Sequence, residues 1–502
     1  MAVIPFAEWT PDLPEHGNGL VTCRNVISRT PESYGPMPGL APYGSMLSRR
    51  CQGAFTARDT SGDIHIFAGD AHDLYRLTAA STNWENVSRS GGQPDYAVGA
   101  EEKWQFAQYG SRVVATNLTD EIQSYVLGQD AAFSALSVEA PRARYASVVR
   151  EFLMVANTSD PTDGNRPERV WWSANGDPTN WPAPGTSAAA AAESDFQDLV
   201  GDGGWVQGIV GGLGNADVAI VQERALWRGL YVGPPLIFQF DKVEGARGTP
   251  APNSIVQLGG VFAYLGEDGF YLFDGTQSVP IGANKIDKTF FNDIDQTYYS
   301  RMSATVDPIN KVFYWAYAGA GHSNGDPNRL LAYNWTTQRW SLIEVTAEHL
   351  FRAGTFGANL DAADTLGYTV DTSPFGPDSR FWAGGRSILA AFDTQHRLNF
   401  FSGSNLAATL ETGDLDLGEG RRVFVSGVRL ITDGGAPTAR IGYRDTPGGA
   451  LAYTPTTIAA ADGYCPQRIS ARFARLRLDM PAGSSFTHIK GFEPRLRPEG
   501  LR

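Results

Sequence analysis

The sequence predicts an all-β protein: a β-propeller of about six to eight blades, with an extended N-terminal arm and a C-terminal β-sandwich. Three observations predict this. Short apolar runs separated by polar turns recur along the chain, helical periodicity is sparse, and turn-forming residues are spread throughout. Gly (56) and Pro (30) together exceed one sixth of the 502 residues. With 42% hydrophobic and 11% aromatic residues, the chain can bury several cores.

Residues 1–45 are dense in Pro and Gly and show no periodicity, which predicts an extended arm or a strap along the domain surface. The opening "MAVIPFAEWTPDLPEHGNG" has Pro and acidic residues where a secretory signal has an apolar stretch. The sequence contains no run of about 18 apolar residues, so it predicts no membrane-spanning helix. We therefore expect a soluble chain made in a cytoplasm.

Residues 46–404 contain the repeating unit of the predicted propeller. In "LGGVFAYLGEDGFYLFDGTQSVPIG" (258–282), two apolar runs flank a polar turn, and a further short run follows. Looser versions of this unit recur every 40–70 residues or so, and we count seven of them, to within about one. Period-two alternation between turns is the hairpin signal, and one blade cannot bury both of its faces alone. An elongated array of β-sandwiches is the alternative architecture.

Residues 405–502 have longer strands with clean alternation, which predicts the sandwich. In "RFARLRLDM", Ala474, Leu476, Leu478 and Met480 share one face, while Arg475, Arg477 and Asp479 share the other. Two short helices are predicted elsewhere, at Ser187–Phe196 and within "KIDKTFFNDIDQ" (285–296).

The chain offers no recognisable active site, and we expect no enzyme, no cofactor and no metal. The seven histidines include no metal-binding helical pair, and no nucleophile elbow or phosphate-binding loop appears. The three cysteines, Cys23, Cys51 and Cys465, are too few and too scattered for a disulfide framework.

Three acidic stretches superficially resemble functional motifs. "DPTDGNRPE" (160–168) has the wrong spacing for a calcium loop, since Asp160 and Asp163 are three residues apart. "SANGDPTNW" (173–181) does not fit the Asp-box of sialidase propellers. The pair Glu267-Asp268 could in principle serve glycoside hydrolysis, but adjacent turn residues point apart. We predict an exposed hairpin tip at 160–168 and a hairpin turn at Glu267-Asp268, and we reject an Asp-box at 173–181.

The distribution of charge along the sequence indicates one candidate site, in residues 465–502. The net charge is −13, yet residues 465–502 hold eight Lys or Arg against three acidic residues. The arginines could contact nucleic acid or an acidic protein surface, and the solvated outer face of a sandwich explains the strand arginines almost as well. The candidate partner contacts are Arg468, Arg472, Arg475, Arg477, Arg495, Arg497 and Arg502.

Eight further segments of the chain form a recognisable set: "EWTPDLPEHGNG", "CRNVISRTPESYGPMPGL", "DPTNW", "GDGGWVQGIVGGL", "ALWRGLYVGPPLIFQFDKVEGARGTPAPNSIVQLGGVFAYLGEDGFYLFDG", "PIGANKIDKTFFND", "ARFARLRLDMPAG" and "HIKGFEP". Together they resemble a family of bacteriophage tail proteins, the tail hub, nozzle or "packaged-DNA stabilisation" proteins of short-tailed phages. They cover most of the chain as scattered segments and form no strict motif.

The resemblance implies a virion tail protein that forms a homohexameric ring below the portal and its adaptor. Implied partners are adaptor or head-to-tail connector proteins, tail fibre or needle proteins, and double-stranded DNA passing without sequence recognition. Six copies at −13 each give about −78, and part of that charge in the lumen would repel DNA from the wall. The alternatives are a glycan-binding or glycan-cleaving propeller and a general protein-interaction propeller.

Overall fold

The structure, a computed structural model, describes residues 3–17, 19–79, 82–89, 95–356, 385–418 and 420–499. Within these ranges the chain is almost entirely β-structure, as the sequence predicts. Five strands precede the first complete blade: β1 (Ile4–Pro5), β2 (Leu20–Arg24), β3 (Val26–Thr30), β4 (Ser33–Pro36) and β5 (Pro38–Met46).

The first three blades each take four consecutive antiparallel strands from the chain, the first innermost. Blade 1 has β6 (Gly53–Arg58), β7 (Ile64–Gly69), β8 (Leu74–Thr78) and β9 (Glu85–Asn86). Blade 2 has β10 (Gln105–Tyr109), β11 (Arg112–Thr116), β12 (Gln123–Val126) and β13 (Ser134–Ala135). Blade 3 has β14 (Arg142–Val149), β15 (Phe152–Asp160), β16 (Gly164–Trp172) and β17 (Asp195–Asp198).

The next three blades are built in the same way. Blade 4 has β18 (Val206–Gly211), β19 (Val218–Gln222), β20 (Leu226–Gly233) and β21 (Ile237–Glu244). Blade 5 has β22 (Val256–Leu258), β23 (Val261–Leu265), β24 (Phe270–Phe273) and β25 (Ser278–Pro280). Blade 6 has β26 (Ser303–Asp307), β27 (Val312–Tyr317), β28 (Arg329–Asn334) and β29 (Arg339–Ile343).

Blade 7 closes the propeller by combining strands from two distant parts of the chain. Its inner strands are β30 (His349–Gly354), β31 (Ser387–Phe392) and β32 (Arg397–Asn405), and its outermost strand is β5. Strand β5 pairs antiparallel with β32, for example Ala41 with Phe400. The ring is therefore held shut by backbone hydrogen bonds between residues more than 350 positions apart, and the described residues form seven blades.

Packing between blades explains why the central strands read as nearly continuous apolar runs. Seven buried clusters occur among the described residues, one for each junction between neighbouring blades. Alternate residues of β27 belong to different junctions: Phe313, Trp315 and Tyr317 face blade 5, and Val312, Tyr314 and Ala316 face blade 7. Both faces of a blade are thus buried, so both side-chain sets must be apolar.

The C-terminal strands follow blade 7. They are β33 (Ala408–Thr412), β34 (Leu415–Asp416), β35 (Val423–Thr432), β36 (Thr438–Arg444), β37 (Ala452–Tyr453), β38 (Thr457–Ile458), β39 (Cys465–Ala471), β40 (Phe473–Met480) and β41 (Ile489–Pro498). Sheet I has the order β3-β4-β41-β35-β39, with β1 beside β41. Sheet II has the order β2-β33-β40-β36-β37, with β34 beside β40 and β38 beside β36.

The two sheets form a β-sandwich around one shared core. Val425, Ile469 and Ile489 of sheet I lie in the same buried cluster as Leu476 and Leu478 of sheet II. That cluster also contains the junction between blades 5 and 6, so the sandwich and the propeller share a core. Sheet II is continuous with blade 6, because Arg24 of β2 pairs with Leu342 of β29.

The prediction of a separate N-terminal arm over residues 1–45 is corrected by the strand pairing. Strands β1, β3 and β4 complete sheet I, β2 joins sheet II to blade 6, and β5 completes blade 7. The boundary at residue 405 therefore does not separate the two domains, since both need N-terminal strands. Periodicity is invisible here because strands such as Ser33–Pro36 are buried at every position.

Helix is confined to short segments among the described residues. These are α1 (Ser187–Ala192), α2 (Asp287–Asp293) and the 3-10 turns Pro252–Ser254 and Gln296–Arg301. Both α-helices fall within the predicted stretches. Helix α2 is capped by a distant residue: Asp12 accepts hydrogen bonds from the backbone nitrogens of Lys288 (2.8 Å) and Thr289 (2.8 Å).

Candidate partner interface

The acidic turn at Glu267-Asp268 is a structural hairpin. It connects β23 and β24 of blade 5, and Asp268 accepts a hydrogen bond of 2.8 Å from the Tyr271 hydroxyl. A glycoside hydrolase needs two carboxyl groups that face one another across a bond of the substrate. This turn stabilises its own blade.

The calcium-like stretch surrounds an arginine. Arg169 is 2% exposed, and its guanidinium lies 2.6 Å from Asp163, 3.5 Å from Asp160 and 2.6 Å from Asp198. The hydrogen bond from Arg169 holds the pKa of Asp163 below its usual value. Because this cation already neutralises the carboxylates, the turn at 161–163 is an internally paired hairpin tip.

The histidines lie apart and serve local contacts. Six of them hydrogen-bond to different groups: Asp59, Asp295, Asp414, Glu348, Ser33 and the Tyr96 carbonyl. Within the described ranges, no group of three or more His, Cys, Asp or Glu side chains could hold a metal ion. The three cysteines are buried free thiols.

The candidate arginines divide between the two sides of the sandwich. Arg475 and Arg477 lie on the outer side of sheet II, which we call the covered face. Arg475 is only 5% exposed, and its guanidinium forms ion pairs with Asp414 and with Glu15. Arg477 is half-buried and contacts Asp479 at 3.1 Å. These two arginines stabilise the fold, so the prediction that Arg475 contacts a partner is wrong.

The outer side of sheet I, which we call the arginine face, is open. Arg468 of β39 and Arg495 and Arg497 of β41 point outward from it and are exposed, and Arg472 is exposed at the link between β39 and β40. The strand register places these arginines on one side of sheet I. Phe424 of β35 pairs with Ser470 of β39 and with Arg497 of β41, so these side chains share a face. Arg468 lies two residues before Ser470 and Arg495 two before Arg497, so they share it too. Arg502 lies outside the described residues.

Only some charges on the arginine face are neutralised. Arg495 pairs with Asp462 at 3.2 Å and stacks at 3.8 Å over the ring of Tyr464. Arg468, Arg472 and Arg497 form no ion pair with any other described residue. In a chain of net charge −13, the face thus presents three cations that have no ion pair among the described residues. This surface suits an acidic partner surface.

Sequence reasoning missed a group of polar side chains that closes one end of the propeller channel. Lys103 and Gln105 enter from blade 2 and meet Asn253 and residues 300–302 from across the channel. The hydrogen bonds run from Lys103 Nζ to the Met302 carbonyl (2.5 Å), from Gln105 Nε2 to Asn253 Oδ1 (3.2 Å), and from Asn253 Nδ2 to the Ser300 carbonyl (2.8 Å). No local motif marks these residues, because ring closure alone brings them together.

Comparison with known proteins adds few constraints. No protein-family model and no curated protein matches the chain. Solved structures with similar shape include U3-55K (10% identity, TM-score 0.39, covering 73% of this chain and 99% of that one). They also include a chain of the mitotic checkpoint complex (11%, TM-score 0.40, 73% and 94%) and YCF48 bound to D1 peptide (10%, TM-score 0.35, 61% and 87%). The propeller assignment rests on the strand order itself.

Within the part of the chain that the structure describes, no helix has the length and apolar character needed to cross a membrane.

Proposed function

We propose that this chain is a structural virion protein that forms the tail hub or nozzle ring of a short-tailed bacteriophage. In this role it extends the portal–adaptor channel, retains packaged DNA and conducts it during ejection. It acts through geometry and copy number, without catalysis. The sequence resemblance supports the family, and one structural observation carries the argument for assembly.

That observation is the arginine face. Arg468, Arg472 and Arg497 are exposed without an ion pair to any other described residue, on a protein with an excess of acidic residues. Such a face is complementary to the acidic remainder of another copy. A contact between two different surfaces of identical subunits closes into a ring when the rotation between them permits. The same face could instead bind an acidic adaptor surface, so both contacts belong in the test.

The size of the propeller channel determines where DNA would pass. Its cavity is about 670 Å³, which is the size of a pocket for one small molecule, and Lys103, Gln105 and Asn253 close one end. A duplex therefore cannot thread a single propeller. A DNA conduit requires several copies around a common lumen, which agrees with the proposed hexamer.

Rigidity also supports a structural role. Propeller and sandwich share a buried core, and N-terminal strands complete both. A ring that holds packaged DNA must resist deformation, and two domains tied by interleaved strands move as one body. In the ring, we expect the lumen wall to carry net negative charge, so that DNA slides without sticking.

The test is electron microscopy of the purified full chain, alone and mixed with the adaptor proteins of the same virus. We expect rings with six-fold symmetry, formed alone or on the adaptor. A chain that stays monomeric at micromolar concentration and does not bind the adaptor would contradict the proposal. A ring structure with a strongly positive lumen would contradict the expectation that DNA slides along a negatively charged wall.

A further inference from the structure

The channel has an unusual charge composition for this protein. Of the 27 described residues that line it, four carry basic side chains, Arg58, Lys103, His349 and Arg352, and none is Asp or Glu. The whole chain has more acidic than basic residues, 54 against 41. Amide and hydroxyl groups complete the polar part of the lining, including Gln105, Gln108, Gln207, Asn253 and Thr56.

The closed end holds two basic groups that no carboxylate of the described ranges contacts. Lys103 is 7% exposed, and its ammonium donates to the carbonyls of Arg301 (3.2 Å) and Met302 (2.5 Å). His349, on the first strand of blade 7, has a buried Nδ1 atom with no hydrogen-bond partner among the described residues. The Lys103 ammonium has three donors and uses two of them on the Arg301 and Met302 carbonyls, so one remains for an anion.

Burial and neighbouring cations disfavour the protonated forms of both basic groups. Burial, and then the nearby Arg50, lowers the pKa of Lys103 to about 7. Burial, and then Lys103 and Arg50, lowers the pKa of His349 well below its ordinary value. The other groups that face Lys103 are Cys51, Glu101 and Arg301. Glu101 pairs with Arg301 at 2.6 Å, so its charge is already compensated.

We propose that the propeller channel is a blind-ended binding site for a small polar ligand that carries a carboxylate or phosphate group. The anionic group lies against Lys103 and His349 at the closed end. Gln105 and Asn253, which also hydrogen-bond to each other, use their remaining hydrogen-bonding capacity on the polar body of the ligand. Arg58, the last residue of β6, and Arg352, within β30, lie toward the other end of the channel and attract the anion.

The lining favours a sugar acid or a phosphorylated small molecule over an apolar ligand. Side-chain amides are the donors and acceptors that recognise hydroxyl groups, and Phe55 and Phe351 supply ring surfaces beside them. Since a carboxylate and a phosphate share the same contacts, the probes must separate them. Glucuronate tests the sugar acid, inorganic phosphate tests the bare anion, and glucose controls for the sugar body.

The experiment is isothermal titration calorimetry on the full chain with these three probes. We expect glucuronate or phosphate to bind and glucose to bind at least tenfold more weakly. Lys103→Met should weaken anion binding at least tenfold, whereas Lys242→Met, on the outermost strand of blade 4, should leave it unchanged. Because an anion favours protonated Lys103, glucuronate affinity should fall about tenfold between pH 7.5 and 8.5, and this slope should disappear in Lys103→Met.

A second variant guards against misfolding of Lys103→Met. Ala146→Trp fills the channel from the first strand of blade 3 and removes no charge, so it should abolish binding of the same probe. If neither anion binds the wild type, or if both variants bind as the wild type does, the proposal is overturned. This site does not depend on ring formation, so its failure leaves the proposed assembly role intact.

Discussion

The sandwich carries arginines on both of its outer sides, and the two sides differ in what lies over them. On the covered face, Arg475 is buried beneath Glu15 and beside Asp414, which come from the N-terminal segment and from the link between β33 and β34. On the arginine face, Arg468 and Arg497 are exposed, without an ion pair to another described residue. Arginines thus stabilise the fold on the covered face and are available for contact on the arginine face.

The difference teaches that strand alternation identifies a polar side but not its environment. In "RFARLRLDM" the alternation correctly separates Leu476 and Leu478 from Arg475 and Arg477. It cannot reveal that Glu15, 460 positions away, reaches Arg475. Outward arginines become candidate partner contacts only after every segment that could cover them has been placed.

The largest expected effect is on the covered face. Arg475→Met should lower the free energy of unfolding by about 3 kcal/mol, because it leaves the buried Asp414 carboxylate with less compensation. Urea unfolding followed by circular dichroism measures this loss. Arg497→Met is the matched control and should cost less than about 0.5 kcal/mol. Equal losses in the two variants would remove the distinction between the faces.

Asp287, the first residue of α2, should make stability depend on pH. Burial, followed by the charges of Asp12 and Asp268, raises the pKa of Asp287 to about 7, so the folded state binds this proton more tightly than the unfolded state. Stability should therefore fall by about 2–3 kcal/mol as pH rises from 5 to 7. Asp287→Asn should remove that decline, as measured by unfolding midpoints at each pH. An unchanged pH profile in this variant would show that Asp287 is not the group responsible.

A smaller effect is expected from Asp12, which caps α2. Asp12→Ala removes acceptors for the backbone nitrogens of Lys288 and Thr289 and should cost about 1 kcal/mol. Asp12→Asn keeps an acceptor oxygen and should lose less. Both values come from the same urea unfolding experiment. If the two variants were equally unstable, capping would not be the reason for the loss.

The smallest effect on stability is expected on the arginine face itself. Arg468→Glu, Arg472→Glu and Arg497→Glu should each change the free energy of unfolding by less than about 0.5 kcal/mol, since each side chain is exposed. Thermal unfolding of the single variants checks this. A large loss would place these arginines in the fold rather than in an interface.

Deleting residues 1–20 cannot serve as a test of assembly. Phe6 and Trp9 are buried in the core shared by propeller and sandwich, Asp12 caps α2 and Glu15 pairs with Arg475. The deletion would remove part of the fold, and loss of rings could then follow from misfolding. Surface substitutions separate folding from assembly.

The sequence predicted the blades because each carries apolar residues on both faces within short runs between turns, as in Val312–Tyr317. It did not predict the use of residues 1–45, because β4 is buried throughout and β2 and β5 find their partners far along the chain. Arg169 offered a readable signal, since it lies just after the acidic stretch that it neutralises. Lys103 offered none, because its surroundings exist only in the closed ring.

Sedimentation velocity of the wild type and of the triple variant Arg468→Glu/Arg472→Glu/Arg497→Glu shows whether the arginine face holds the ring together. We expect the wild type, alone or with its adaptor, to sediment as a ring-sized assembly that high salt weakens. The triple variant should remain folded and sediment as a monomer under both conditions. A triple variant that assembles as well as the wild type would contradict the account.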